Sequence, residues 1–206
     1  MTDKYASLYS PCRLCGRSCL ADRRTGKAGF CGEDARLRIA WAGIHRGEEP
    51  GICGAGGSGA VFFSGCTLKC FFCQNGQISR QGMGRVVSVS EFAGICLSLR
   101  DRGAENINLV TGTHFLPSIA EGIFRARKSG LDLPVVWNSS GYDTADDVEL
   151  LAEFVDVFAP DLKTLDDSLA SALFGAPDYP RTAAEALRKI ARKRPLVFAG
   201  DSLRSG

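Results

Sequence analysis

The sequence predicts an α/β fold, a partial (β/α) barrel preceded by a cysteine-rich N-terminal extension. Two observations lead to this prediction. Beyond residue 60, short apolar runs of strand length alternate with longer amphipathic stretches of helix length. Such a rhythm is typical of parallel strands joined by helical crossovers. Polar or metal-ligating side chains also follow four successive predicted strands, at the sheet edge where chemistry gathers in these folds.

The predicted strands are apolar runs bounded by turn residues. Residues 37–42 alternate loosely and predict a short strand inside the extension. Residues 51–60 form a glycine-dense turn, and because it precedes a strand instead of opening a helix, it lacks the geometry of a phosphate site. The remaining strands are predicted at residues 60–64, 106–111, 134–139 and 155–160.

Three helices are predicted between these strands. Apolar residues recur at helical spacing between residues 90 and 102, with Ser90 as the expected N-cap. Pro117 begins a second helix, which Gly130 ends. A third begins at residues 143–146, where acidic side chains favour the positive end of the helix dipole.

Composition narrows the function classes. The chain has 206 residues, 45% of them hydrophobic and 23% charged, which is typical of a globular domain with one good-sized core. A net charge of +2 provides no basic field for nucleic acid or a membrane surface. The N-terminus lacks a secretory pattern, so we expect a cytoplasmic protein with no membrane partner. Nine cysteines then indicate metal or redox groups instead of disulfides.

The most specific motif is C-x3-C-x2-C, formed by Cys66, Cys70 and Cys73 directly after an apolar run. The spacing differs from a four-cysteine ferredoxin run, and residues 74–84 contain no Cys or His to complete a tetrahedral zinc site. It fits a 4Fe-4S cluster held by three cysteines, with the fourth iron open to a small chelating molecule. Cys53 is the alternative fourth ligand that would weaken this interpretation.

This motif, with an aromatic residue before its last cysteine, resembles that of the radical S-adenosylmethionine (SAM) enzymes. The resemblance implies that the SAM amine and carboxylate chelate the open iron. An electron from the reduced cluster then cleaves the sulfonium bond, and the resulting 5'-deoxyadenosyl radical abstracts hydrogen from a substrate. An external electron donor of flavodoxin or ferredoxin type is implied too. Phe71 and Phe72 are apolar side chains that could shield the cluster from solvent, and the resemblance places Phe72 beside the adenine.

A narrower resemblance covers nearly the whole chain. It rests on five blocks in order: "CRLCGRSC" with a later "GFCG", "GSGAVFFSGCTLKCFFCQN", "NINLVTGTHFLPSI", "VVWNSSGYD" and "VDVFAPDLKTLDD" with a later "APDYP". Together they resemble the pyruvate formate-lyase activating enzyme-like proteins of the PflX and AmmeMemoRadiSam type. This implies an oxidoreductase that abstracts hydrogen from a protein glycine or another unactivated C-H bond. A small metabolite and a modified macromolecule remain open as substrates.

The resemblance also assigns residues to SAM. Thr113 and His114 stand where many relatives carry Gly-Gly-Glu, which meets the SAM amino group. The sequence departs from the family there, so His114 as a SAM contact and His114 as a helix cap remain alternatives.

Two further strand ends match the family's SAM ligands. Asn138, Ser139 and Ser140 fall where the activating enzymes place polar SAM contacts. Asp161 and Lys163 resemble a D-L-K motif that serves a monovalent cation and the SAM carboxylate.

The extension carries its own cysteine motif, C-x2-C-x3-C-x11-C. Its members are Cys12, Cys15, Cys19 and Cys31, and the spacing supports a tetrahedral metal site. Structural zinc, a second iron-sulfur cluster and free thiols all remain open. Cys96 lies on the apolar stripe of its helix and is predicted to be core.

We divide the chain into an extension, residues 1–50, and a barrel, residues 51–206. Only four strand-helix units are counted, and residues 195–198 hardly make a fifth. This predicts a C-terminally truncated barrel with impaired stability or SAM affinity. Two rival interpretations follow: an iron-sulfur electron carrier or metal-binding module, which requires a fourth protein ligand, and an inactive remnant.

Overall fold

The computed structural model describes residues 3–199 and 202–205. Its centre is a six-stranded mixed sheet, which confirms the α/β prediction. The strands are β1 (Arg38–His45), β2 (Ser58–Phe63), β3 (Arg85–Val86), β4 (Ile107–Val110), β5 (Val135–Ser139) and β6 (Val157–Pro160), in the spatial order β3-β1-β2-β4-β5-β6.

Strands β2, β4, β5 and β6 are parallel, as the strand-helix rhythm predicts. Their register aligns Val61 with Leu109, Leu109 with Trp137 and Trp137 with Phe158 across the sheet. The other edge differs, because β1 pairs antiparallel with both β2 and β3. The parallel part brings four carboxyl strand ends to one edge, where the predicted site residues lie.

Helices follow the parallel strands and cover their apolar sides. The longer ones are α4 (Val89–Asp101), α5 (Leu116–Lys128), α6 (Ala145–Leu151), α7 (Asp167–Phe174) and α8 (Tyr179–Lys193); α1 (Asp3–Ala6), α2 (Pro50–Cys53) and α3 (Gly76–Ser79) are single turns. Short 3-10 turns occupy Arg23–Thr25 and Thr113–Phe115. The glycine-dense stretch folds as α2 and a turn that leads into β2.

One buried apolar cluster stabilises this arrangement. Phe63, Phe92, Trp137 and Phe154 are its largest members and are almost completely withdrawn from solvent. Cys96 lies in the same cluster with no exposed surface, which confirms its prediction as core. Burial of each large side chain contributes about 1.5–3 kcal/mol to folding before entropy is counted.

The predicted N-cap of α4 was wrong by two residues. Ser88 caps the helix: its Oγ accepts from the Glu91 amide at 3.1 Å, and the Glu91 carboxylate accepts from the Ser88 amide at 2.7 Å. Ser90 lies inside the helix, where its hydroxyl accepts from Arg125. The reciprocal capping box decides the start, because Ser88 has a Glu three residues later.

The other two helix starts agree better with the sequence. Pro117 lies in the first turn of α5, and Gly130 follows the helix end with φ of +95°. Helix α6 begins at Ala145 with Thr144 as N-cap, so Asp143 stays outside the helix. That displacement leaves the Asp143 carboxylate free to serve the site.

The extension and the chain end frame the sheet. Residues 7–37 contain little regular structure, although β1 joins them to the sheet. Val197–Ala199 (β7) and Ser202–Ser205 (β8) form an antiparallel hairpin outside the six-stranded sheet. No helix in the described part of the chain is both long and apolar enough to cross a lipid bilayer.

Candidate functional site

A cleft of about 370 Å³ opens at the carboxyl ends of the parallel strands. Strands β4, β5 and β6 and the loop after β2 all contribute to it. Its lining consists of Cys66, Cys70, Phe72, Cys73, Gln74, Asn75, Val110, Thr111, Asn138, Ser139, Ser140, Asp161 and Lys163. The structure therefore gathers the three motif cysteines and six of the residues predicted to bind SAM around one space.

The cluster loop, residues 64–75, is held by backbone contacts. The Cys66 amide donates to the Cys31 carbonyl at 3.3 Å, which ties the loop to the extension. Gly65 has φ of +79°, and a Cβ there would lie 2.8 Å from the same carbonyl oxygen, so the close approach requires glycine. Arg80 Nη1 donates to the Cys70 and Phe71 carbonyls from the other side.

The three sulfurs have surroundings suited to metal-bound thiolates. Cys66 Sγ accepts from the Leu68 amide, and Cys73 Sγ accepts from the Ser79 hydroxyl, each at 3.4 Å. Burial raises the pKa of the Cys70 thiol, while the positive charge of Lys163 opposes the rise. Hydrogen bonds and a nearby cation stabilise thiolates and tune an iron-sulfur cluster.

The three motif cysteines are not arranged around a single ion. Across residues 3–199 and 202–205, no three His, Cys, Asp or Glu side chains converge as ligands of one ion. Three thiolates from one short motif are the donor set that would hold a 4Fe-4S cube, because each cysteine of such a cube binds a different iron.

A fourth protein ligand is missing from the cleft lining. The lining contains no further cysteine and no histidine. Cys53, the sequence-based alternative, instead directs its thiol to the His45 carbonyl at 3.6 Å. This arrangement disfavours a four-cysteine electron carrier.

Charged and amide groups face the cysteines across the cleft. Asp161 and Lys163 form an ion pair of 2.6 Å at the end of β6. Asn138, Ser139 and Ser140 lie at the end of β5. Phe72 is 50% exposed and packs edge-on against Phe71 at the mouth. A small zwitterion with an aromatic base finds matching groups here.

Thr113 and His114 lie behind the cleft, outside its lining. Thr113 Oγ1 donates to Asp143 at 2.6 Å. His114 is buried, and its Nε2 lies 2.7 Å from the Ser64 carbonyl. Burial, reinforced by the Arg23 charge, lowers the pKa of His114 to about 3, so the ring is neutral and Nε2 donates. Thr111, with φ of +56°, provides the polar group that β4 turns into the cleft.

Asp143 is a site residue that the sequence did not reveal. Its buried carboxylate accepts from Ser139 Oγ, Thr113 Oγ1 and Trp137 Nε1. It therefore joins the ends of β4 and β5 below the cleft. Its acidic neighbours suggested a helix start, which concealed this role.

Two other supporting residues had no sequence signal. The Tyr179 hydroxyl accepts from the Lys163 amide at 2.9 Å and lies within donating distance of the Ser140 and Asp161 carbonyls. Arg17 of the extension donates to the carbonyls of Thr67 and Phe174, which connects the cluster loop to α7. Both act through long-range contacts that only the fold creates.

Comparison with known proteins agrees with this geometry. The model of the radical SAM superfamily matches residues 60–198. An uncharacterized protein of Methanocaldococcus jannaschii is 32% identical over 169 residues, which cover 76% of this chain and 46% of the relative. The chain thus spans less than half the length of that relative. On the family match, the chain belongs to the radical SAM superfamily, whose members use a 4Fe-4S cluster and S-adenosylmethionine.

Proposed function

We propose that the chain cleaves SAM reductively in this cleft and abstracts hydrogen from an unactivated C-H bond of a substrate. The observation that carries this proposal is the joint placement of three cysteines and the polar ends of β5 and β6 around one cleft, without a fourth cysteine or a histidine in its lining. When bound, the cluster supplies the electron that splits the sulfonium bond of SAM.

The chain's own residues then have distinct roles. Cys66, Cys70 and Cys73 hold the cluster. Lys163 lies where it can pair with the SAM carboxylate, and Asp161 can bind a cation or the SAM amine. These two form an ion pair with each other, so SAM binding exchanges that pair for contacts with the cofactor.

Other lining residues would contact the ribose, the amino group and the adenine of SAM. Asn138 and Ser140 provide hydrogen bonds to the ribose, and Thr111 offers a hydroxyl near the amino group. Phe72 stacks on the adenine, since an exposed ring at a cleft mouth is a suitable platform for a base.

The test is reductive SAM cleavage by anaerobically reconstituted protein, measured as 5'-deoxyadenosine formed after addition of dithionite. We expect formation by the native chain and none by Cys70→Ala. Cys96→Ala is the matched control, because it removes a buried thiol outside the site. Equal product from the Cys70→Ala variant would contradict the proposal.

More specifically, we propose that the protein is an oxidoreductase of the glycyl-radical activase type, which receives its electron from a flavodoxin or ferredoxin. The five sequence blocks support this subtype. Phe71 and Leu165 are each 67% exposed, so apolar surface is available for contact with a protein substrate. A SAM-dependent glycyl radical signal in a candidate partner protein would support it; turnover of small metabolites alone would contradict it.

A further inference from the structure

We propose that Cys12, Cys15, Cys19 and Cys31 form a second metal site, which binds one Zn²⁺ through four thiolates. The site lies in the extension and does not depend on SAM chemistry. Its role is structural, because a closed four-cysteine set leaves no open position for catalysis.

The fold brings these cysteines together from separate turns. A Cβ built on Gly29 would lie 3.2 Å from Cys19 Sγ and 3.5 Å from Cys31 Sγ, so both sulfurs flank one point. Cys12 Sγ lies 3.8 Å from Arg23 Nη1, and the Arg23 Cδ would be 3.3 Å from the same Gly29 Cβ. Three sulfurs therefore lie beside the Arg23 side chain.

Arg23 places a buried positive charge beside these sulfurs, between the rings of Tyr9 and Phe115. The side chain is only 1% exposed, and its donors reach three neutral carbonyls, those of Glu33, Asp34 and His114. It forms no salt bridge within residues 3–199 and 202–205: the Glu33 carboxylate pairs with Arg38, and the Asp34 carboxylate pairs with Arg36. A buried guanidinium without a carboxylate is costly unless another anion lies nearby. Metal-bound thiolates provide that anion.

The backbone of the same loop contains three non-glycine residues in the left-handed region. Cys15, Ser18 and Leu20 have φ of 63°, 40° and 57°. Only two other non-glycine residues in the described chain, Lys69 and Thr111, have positive φ, and both belong to the SAM cleft region. Strained residues of this kind persist where the surroundings hold them, and they gather at functional sites.

The donor set is the one that structural zinc sites use. The sulfurs of Cys12, Cys19 and Cys31 all lie beside the Arg23 side chain, so the ligands of one ion are available in one place. The side chains do not yet converge around one point, so metal binding requires them to rotate inward. Soft thiolates in a four-ligand set select zinc among the common divalent ions.

The proposed zinc site is in direct contact with the cluster loop, residues 64–75. The Cys31 carbonyl accepts from the Cys66 amide, so a ligand of one site fixes the backbone of the other. Arg23 extends the connection, since it donates to the carbonyl of His114, whose ring holds Ser64. Loss of zinc should therefore loosen the cluster loop.

The experiment separates the two sites by removing the cluster ligands. The full chain carrying Cys66→Ser, Cys70→Ser and Cys73→Ser is purified and its metals are measured by mass spectrometry. We expect about one zinc per chain, and four sulfur neighbours at about 2.3 Å in X-ray absorption. Further substitution of Cys19→Ser, whose side chain is exposed, should abolish stoichiometric zinc, whereas Cys53→Ser should retain it.

Cobalt gives a second readout that needs no further substitution. Co²⁺ exchanged into the triple variant should show thiolate charge-transfer bands and tetrahedral d-d bands. A variant that holds iron with a cluster spectrum, or that holds no metal and gives no thiolate-cobalt bands, would overturn the proposal. Because the triple variant lacks the SAM cluster ligands, neither result depends on the proposed SAM chemistry.

Discussion

At the scale of single residues, Asp143 shows how one buried carboxylate organises the cleft. Its carboxylate accepts hydrogen bonds from Thr113 after β4 and from Ser139 at the end of β5. Of these two donors, only Ser139 lines the cleft. Burial raises the pKa of Asp143, although its three donors oppose the rise. The residue is thus a positioning group whose acceptor oxygens matter more than its charge.

We expect Asp143→Asn to weaken SAM binding. The amide nitrogen cannot accept from Thr113 or Ser139, and an unsatisfied buried hydroxyl costs about 1–3 kcal/mol. SAM affinity measured by calorimetry should fall roughly tenfold or more, at unchanged iron content. Asp146→Asn, on an exposed helix turn, is the control. Unchanged affinity in Asp143→Asn would contradict this role.

His114 predicts a pH dependence of stability. Its folded pKa of about 3 lies below the ordinary 6.5, because burial and the charges of Arg23 and Lys69 disfavour the protonated ring. Below pH 6.5 the unfolded chain binds the extra proton, so stability is full above this pH and declines as the pH falls toward 3. The slope is at most about 1.4 kcal/mol per pH unit.

Denaturant unfolding at pH 7.5, 6.5 and 5.5 measures this decline. His114→Gln should flatten the curve between pH 6.5 and 5.5, and His45→Gln, a change at the chain's other histidine, is the control. The same slope in both variants would assign the effect to other groups.

At the scale of elements, periodicity predicted most of the parallel sheet. The apolar runs of β2, β4, β5 and β6 are buried strands whose ends carry polar groups, and these local signals survive in the fold. The antiparallel pairing of β1 and β3 depends on long-range packing, which periodicity does not encode. The Ser90 prediction was wrong for a local reason, because Ser88 has Glu91 three residues later as its capping-box partner.

The N-cap of α4 can be tested by comparing alanine substitutions at Ser88 and Ser90. Ser88→Ala removes the acceptor for the Glu91 amide and should lower the free energy of unfolding by about 1 kcal/mol. Ser90→Ala loses only an exposed contact with Arg125 and should change it by less than about 0.5 kcal/mol. Chemical denaturation of both variants measures the difference; equal losses would contradict the assignment of the cap.

Tyr179, the first residue of α8, leads us to expect that this helix holds the strand ends of the cleft in position. Tyr179→Phe removes a hydroxyl that bridges the ends of β5 and β6, so Lys163 should lose its fixed position. We expect SAM affinity to fall roughly tenfold, with a stability loss of about 1 kcal/mol. Tyr142→Phe is the matched control, because its hydroxyl bonds Asp178 away from the strand ends. A similar affinity loss in both variants would indicate a general loosening.

For the whole molecule, the extension and the sheet form a continuous support for the cluster loop. Arg17, Cys31 and Arg23 all contact the loop or the residues behind it, although they lie far away in sequence. The cysteine motif and the polar strand ends were predictable because both are defined by residues that lie close together in the sequence. The supporting contacts were not, since each joins segments that only the folded chain brings together.

The central claim is that the fourth iron of the cluster is open to SAM. Electron paramagnetic resonance of anaerobically reconstituted, reduced protein, recorded with and without SAM, tests it most directly. We predict a 4Fe-4S signal that changes when SAM is added and that is lost in Cys66→Ala. A cluster signal unaffected by saturating SAM would mean that the fourth iron is closed, and would contradict the claim.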